Sequence, residues 1–238
     1  MHAAIELVPI ELAGRGARLG ESFYADMDEA AEDAAAQIIA HSDSRSLNRM
    51  IVVFGHSMGS TLAFEVCRRL SAKGGRAVPS HLFCSGRAAP HSANLRKRIH
   101  SLSDEQFQEE IMRLGATPAA VFQEKALLEI YLPILRADYT LIEQYRYRES
   151  GTRLSCDLTV LHGTEEDLTL ECLEGWRLHT SGNYRRMSFP GGHFYMNEQT
   201  RQVVEWLNRT LLREVQLYDR IYAGVQLTES GMNDHYRK

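Results

Sequence analysis

Short apolar runs alternate along the chain with longer segments whose apolar positions recur every three or four residues. This alternation predicts an α/β architecture around a mainly parallel sheet with helices on both faces. The predicted strands are Ala4 to Leu12, Met50 to Phe54, His81 to Cys84, Leu154 to Leu161, and Tyr184 to Phe189. The predicted helices are Met27 to Ala40, the segment between Ser57 and Gly74, and Arg201 to about Tyr222.

Residues from about 101 to 150 interrupt the alternation with two helical patterns and no convincing strand. The second pattern is interrupted by Pro133. A helical insertion between sheet strands commonly covers an active-site mouth, so we predict a lid here. A helical layer without a gating role is the alternative interpretation. We expect residues 1–238 to form a single domain, with a polar tail over about 223–238.

Composition narrows the possible classes of protein. The 238 residues carry a formal net charge of −4, which gives no electrostatic footprint for nucleic acid or an anionic membrane. No apolar run approaches the roughly 20 residues of a membrane-spanning helix, and no signal peptide is visible. The four scattered cysteines show no metal-ligand spacing and are predicted to be reduced thiols. We therefore expect a cytoplasmic protein without a metal ion or cofactor.

The strongest chemical signal is Gly55-His56-Ser57-Met58-Gly59, which lies directly between a predicted strand and a predicted helix. This context is that of a nucleophile elbow, whose glycines relieve crowding in a sharp strand-to-helix turn. The motif predicts Ser57 as the nucleophile. It also places the backbone N–H of Met58 at a helix N-terminus, where it can stabilise an oxyanion.

A serine nucleophile needs a base, and in this fold the histidine follows the last strand. His193 lies in the glycine-rich loop between the last predicted strand and the last predicted helix, so we predict that it is the base. His56 is expected to point away from that base, and His162 is expected to be structural.

The acid that orients the histidine is expected after the preceding strand, where three carboxylates follow Gly163. Counting three residues past Gly163 favours Glu166. The apolar Leu170, three residues past Asp167, favours Asp167, which is our preferred acid. Glu166 is the alternative and Glu165 is the least favoured of the three.

The chain resembles the type II thioesterases that accompany polyketide and nonribosomal peptide synthetases, and the related medium-chain fatty acyl-carrier-protein hydrolases. The matching segments occur in order, and they are Leu12-Ala13-Gly14-Arg15-Gly16, Phe54-Gly55-His56-Ser57-Met58-Gly59, Leu82-Phe83-Cys84-Ser85-Gly86-Arg87, Leu132-Pro133-Ile134-Leu135-Arg136-Ala137-Asp138, Cys156-Asp157-Leu158 and Phe189-Pro190-Gly191-Gly192-His193-Phe194-Tyr195. The resemblance implies an α/β-hydrolase fold with a helical lid. It further implies hydrolysis of acyl or aminoacyl thioesters on the phosphopantetheine of an acyl or peptidyl carrier protein.

The chain departs from the family pattern in three places. Ala13 stands where the family usually has proline, and the acid loop is shifted. The family's first strand and glycine-rich turn, which supply a second oxyanion N–H, have no counterpart in this sequence. Whether Met1 is the natural start is left open.

Other functions remain compatible with these residues. An acyltransferase or cyclase would use the same acyl-enzyme and pass the acyl group to an amine or alcohol. A catalytically weakened carrier-protein binding module would fit the missing strand, and a small-molecule esterase or lipase would use the same serine. No motif identifies the substrate-binding residues. Arg87 and Arg136 are candidates for a local patch that docks an acidic carrier protein.

Overall fold

The computed structural model describes residues 1–44, 49–92, 98–115, 124–149 and 151–233. Within these ranges the chain forms two compact units. The larger unit comprises Ile10–Tyr195 and contains the sheet, and the smaller one combines Met1–Pro9 with the chain from Met196 onward.

The sheet of the larger unit has four strands, all parallel, in the order β1-β2-β3-β4. The strands are β1 (Val52–His56), β2 (His81–Ser85), β3 (Asp157–Gly163) and β4 (Tyr184–Phe189). Sequence predicted each of these strands to within three residues at either end. Because the strands are parallel, the four turns that follow them meet at one edge of the sheet.

Seven α-helices occur in the described ranges. They are α1 (Met27–Asp43), α2 (Met58–Lys73), α3 (Asp104–Leu114), α4 (Lys125–Gln144), α5 (Leu170–Glu174), α6 (Tyr195–Glu198) and α7 (Thr200–Asn233). The Asp26 side chain caps α1, and Gly74 ends α2 with a positive φ of 68°. No helix in the described part of the chain is long and apolar enough to cross a membrane.

Helix α2 supplies much of the main core. Its residues Ala63, Phe64 and Cys67 pack against β2 and β3 through Leu82, Cys84, Leu158 and Val160. An adjoining face of α2 packs on the alanine-rich face of α1 through Val66 and Leu70. The small alanines allow α1 to approach α2 closely. The helix that begins at the nucleophile motif is therefore held on two sides.

The predicted first strand, Ala4 to Leu12, does not form, because this segment has no strand hydrogen bonds. Pro9 lacks the N–H that a strand ladder requires. Leu7 is 74% exposed, so the apolar residues here do not define a buried face. The sequence prediction of a strand was wrong at this position.

The insertion between β2 and β3 is helical where the structure describes it. Helix α3 and α4 pack together through Phe107, Ile111 and Tyr139, and α4 continues through Pro133 without a break. The C-terminal half of α4 packs near Met27 and Met58 through Leu141 and Ile142. This places the insertion beside the start of α2, while its gating role stays a prediction. Residues 116–123 and 150 lie outside the described ranges.

The smaller unit contains the long helix α7, which extends to Asn233 and therefore well past Tyr222, where the sequence prediction ended it. In this unit the backbone N–H of His2 donates to the side-chain oxygen of Asn208, 3.1 Å away. Residues 223–233, predicted as part of a polar tail, are helical, and residues 234–238 lie outside the described ranges.

Candidate active site

The turn after β1 holds Ser57 in an unusual backbone conformation. Its φ is 55° and its ψ is −119°, and in the described ranges no other non-glycine residue has a positive φ. Such a conformation costs about 1–3 kcal/mol and persists only where surrounding contacts enforce it. Ser57 N–H donates to the carbonyl of Ser85 (2.8 Å). The Ser60 hydroxyl bonds the carbonyls of Gly55 and Ser85, which ties the elbow to the end of β2.

The two glycines of the motif have different environments. A side chain at Gly55 would meet the backbone of Gly59 and Ser60, so this position must be glycine. A Cβ at Gly59 would meet no described atom within 4 Å. The motif predicts crowding at both glycines, and the described structure shows it only at Gly55.

The predicted base lies against the predicted nucleophile. His193 Nε2 is 2.9 Å from Ser57 Oγ, a hydrogen-bond distance. The loop that carries His193 passes closely over the end of β3, where a Cβ at Gly163 would meet the carbonyl oxygens of Gly191 and Gly192. Glycine at 163 thus lets the histidine loop approach the sheet edge. The structure brings together Ser57 and His193 as the sequence predicted.

The carboxylate that reaches His193 belongs to Glu166. Its Oε1 is hydrogen bonded to His193 Nδ1, and its Oε2 accepts from the backbone N–H of Gly163 (3.1 Å). The side chain of Glu166 is only 2% exposed. Asp167, the preferred acid of the sequence analysis, is exposed and makes no hydrogen bond to His193. The geometry therefore corrects the preference from Asp167 to Glu166, and Glu165 is likewise exposed.

The prediction of Asp167 depended on the apolar Leu170, and the position of Leu170 explains why that prediction was wrong. Leu170 is 57% exposed and starts α5, so it does not mark the core. Leu168 is the residue that packs against the main cluster. The register of the turn is therefore set by Leu168, two residues past Glu166, and the extra methylene of glutamate carries its carboxylate to the imidazole.

His56 contacts the base, contrary to the sequence expectation that it points away. Its ring centroid lies 4.9 Å from that of His193, and its Nδ1 is 2.9 Å from Ser85 Oγ. Burial, and secondarily the neighbouring His193, lowers the pKa of His56 to about 4. His56 is therefore neutral near neutral pH.

Three further residues near the base, Ser85, Gly86 and Tyr195, were not assigned a role from sequence. Gly86 has a φ of 64°, and a Cβ there would lie 2.9 Å from His56 Cε1 and 3.1 Å from His193 Cε1. Tyr195 is fully buried, and its hydroxyl is 2.6 Å from Ser85 Oγ. Burial raises the pKa of Tyr195 to about 12. All three occur in segments that match the family, which was the available signal, although hydrophobic periodicity gives them no function.

Met58 is the first residue of α2 and directly follows Ser57. The first N–H groups of a helix have no acceptor within it, and they point along the favourable end of the helix dipole. This position is compatible with the predicted oxyanion contact, which stays a prediction.

An ion pair away from Ser57 joins two of the segments that match the family, those that begin at Leu12 and Leu132. The Arg15 guanidinium binds Asp138 of α4 through two hydrogen bonds of 2.6 and 2.9 Å. Arg136 bonds the carbonyls of His100 and Leu102, pairs with Asp104, and lies over Phe107. Arg136 is thus committed to holding α3 and α4 together, which does not support its predicted docking role.

A cavity of about 880 Å³ lies along α1, α2 and the end of α4. Its walls include Glu65, Arg68 and Tyr145, and none of Ser57, Glu166 or His193 lines it. It does not identify the substrate site, so the substrate-binding residues stay unassigned. Among the residues that the structure describes, no group of three His, Cys, Asp or Glu side chains could hold a metal ion.

A serine, histidine and carboxylate at the ends of parallel strands are the arrangement of an α/β-hydrolase. The thioesterase domain family model matches residues 1–211, so the chain belongs to that family. Thioesterase PikA5 from Streptomyces venezuelae is 34% identical over 213 residues, covering 89% of this chain and 73% of PikA5. Linear gramicidin dehydrogenase LgrE from Brevibacillus parabrevis is 36% identical over 211 residues, covering 87% and 78%.

Solved structures agree with the family assignment. The crystal structure of ClbQ from the colibactin NRPS/PKS pathway matches with a TM-score of 0.77 and 34% identity, covering 85% of this chain and 84% of ClbQ. The relatives include type II thioesterases of nonribosomal peptide and polyketide pathways and medium-chain thioesterases of fatty acid synthases. The chain is accordingly a thioester hydrolase of the type II thioesterase class.

Proposed function

We propose that this type II thioesterase hydrolyses acyl or aminoacyl thioesters on the phosphopantetheine of an acyl or peptidyl carrier protein. The observation that carries the chemistry is the position of His193 between Ser57 Oγ and the Glu166 carboxylate. Support for the substrate comes from the relatives, which belong to NRPS/PKS pathways. We propose the cytoplasm as its location, supported by four free cysteines.

In the first half-reaction Ser57 Oγ attacks the thioester carbonyl while His193 Nε2 takes the hydroxyl proton. The N–H of Met58 stabilises the negative oxygen of the tetrahedral intermediate. The carbon–sulfur bond then breaks, and the thiol leaves with the proton held by His193. The product of this half-reaction is an acyl ester on Ser57.

In the second half-reaction a water molecule attacks the acyl ester and gives a proton to His193. The ester bond breaks, Ser57 recovers its proton from His193, and the free acid leaves. Throughout, Glu166 accepts the hydrogen bond of the protonated Nδ1. It therefore fixes the tautomer that presents a basic Nε2 to Ser57, and it stabilises the imidazolium that forms.

The test compares one acyl group on a carrier protein and on a truncated pantetheine. We expect a higher kcat/KM for the carrier-protein substrate, because remote contacts help to orient the carbonyl. Mass spectrometry of a quenched reaction is expected to show an acyl adduct on the peptide containing Ser57, and none in Ser57→Ala. Ser71→Ala, in the same helix, is the matched control that keeps both activity and adduct. Equal kcat/KM values for the two substrates would contradict the carrier-protein assignment.

A further inference from the structure

A chain of polar contacts runs from His56, which packs against the base His193, into the interior. His56 Nδ1 is 2.9 Å from Ser85 Oγ, and Ser85 Oγ is 2.6 Å from Tyr195 Oη. Tyr195 is fully buried and stacks on Phe189 with ring centroids 5.4 Å apart. The buried tyrosine thus anchors Ser85, and Ser85 fixes the rotation of the His56 ring.

The other end of this chain contacts the catalytic apparatus. The His56 ring lies 4.9 Å from the His193 ring at an interplanar angle of 38°. Phe194 packs on His193 from another direction, with centroids 4.8 Å apart and an angle of 80°. The rings of His56 and Phe194 also contact each other, with centroids 5.9 Å apart. The imidazole of His193 therefore packs against a pair of contacting rings, in addition to its hydrogen bonds to Ser57 and Glu166.

The charge of His56 suits this position. His56 Nε2 is buried and has no hydrogen-bond partner among the described atoms. Burial disfavours a charged ring there, and the nearest ionisable groups that act on it are His193 and Glu166. A neutral ring avoids like-charge repulsion when His193 takes the serine proton, since two imidazolium ions at this separation would repel each other.

We propose that His56 is a positioning residue, fixed by Ser85 and Tyr195, that holds the His193 imidazole in line with Ser57 as a neutral packing partner. The proposal rests on the function proposed above, in which His193 is the base. It assigns a role to the residue that immediately precedes the nucleophile. His56 forms and breaks no bond during turnover.

The test is a set of variants measured with both a thioester and an activated aryl ester. We expect His56→Ala to lower kcat by roughly 10- to 100-fold, since a small displacement of a reacting group has effects of this size. His56→Phe keeps a ring against His193, so it is expected to restore most of that loss. KM is expected to change little, because His56 is not required to bind the acyl group.

A second measurement separates positioning from simple stability. His81 is a buried histidine at the start of β2. Its Nε2 is hydrogen bonded to Thr159 and its ring stacks on Phe83, so His81→Ala is the matched control. It is expected to lower the melting temperature without lowering kcat well below that temperature. At the same assay temperature His56→Ala is expected to lower kcat, and His56→Phe is expected to restore most of it, which a purely structural role would not produce.

The coupling between Ser85 and His56 in their effects on kcat tests whether Ser85 fixes the orientation of the His56 ring. Ser85→Ala is expected to lower kcat less than His56→Ala, and the double variant is expected to be no slower than His56→Ala alone. A normal kcat in His56→Ala, with only the melting temperature lowered, would overturn the proposal. Failure of the proposed function is detected separately: if the serine–histidine mechanism is wrong, Ser57→Ala keeps full activity.

Discussion

The turns after β1 and β3 each place one side chain of the proposed catalytic triad at the same sheet edge, but the sequence specifies the two turns differently. The turn after β1 is fixed by its backbone, through the positive φ of Ser57, the contact at Gly55 and the hydrogen bonds of Ser60. The turn after β3 offers three carboxylates in succession, and only the length and direction of a side chain selects Glu166. Backbone constraints leave a motif in the sequence, whereas a choice among adjacent carboxylates does not.

The largest expected effect tests the turn after β1. Ser57→Ala removes the nucleophile and is expected to lower kcat by roughly 10⁶-fold, as in other serine hydrolases that lose this residue. The fold is expected to persist, because alanine accepts the same backbone contacts. Turnover of an acyl carrier protein is the measurement, with circular dichroism to verify folding. Near-normal turnover would remove Ser57 from the mechanism.

A smaller effect is expected at Gly86, which follows β2 and lies close to His56, Glu166 and His193. A Cβ in Gly86→Ala would press on His56 and His193, and would lie 3.1 Å from Glu166 Oε1. We expect kcat to fall by about 10²-fold through displacement of the base. Gly74→Ala is the control, because Gly74 has a similar φ of 68° but no described atom within 4 Å of its Cβ position. Equal loss of kcat in both variants would point to backbone strain alone.

The turn after β1 also predicts a pH dependence of stability. The pKa of His56 is lowered from 6.5 to about 4 by burial, so its neutral form stabilises the fold fully above pH 6.5. That contribution is lost as pH falls toward 4, because the unfolded chain binds the proton first. Denaturant unfolding is expected to show that His56→Phe removes on the order of 2 kcal/mol of the stability lost between pH 6.5 and pH 4. An unchanged pH dependence would contradict a buried, neutral His56.

Sequence predicted the four strands, the helix after Ser57 and the pairing of Ser57 with His193. These features follow from local rules: continuous apolar strands, a glycine-containing turn, and the position of a loop relative to the strands. Three features differ from the prediction. The expected first strand does not form, because Pro9 lacks a ladder N–H, and Leu7 stays exposed there. The other two depend on tertiary packing: Leu168 rather than Leu170 packs on the core beside the acid turn, and His56 faces the base because Ser85 and Tyr195 hold it there.

The most direct test of the site compares kcat for Glu166→Gln and Asp167→Asn on one acyl carrier protein. Glu166→Gln is expected to lower kcat by about 10³- to 10⁴-fold, because an amide stabilises the wrong imidazole tautomer and cannot stabilise the imidazolium. Asp167→Asn changes an exposed side chain and is expected to leave kcat within about twofold of the original. A large loss in Asp167→Asn with little effect of Glu166→Gln would contradict the assignment of Glu166.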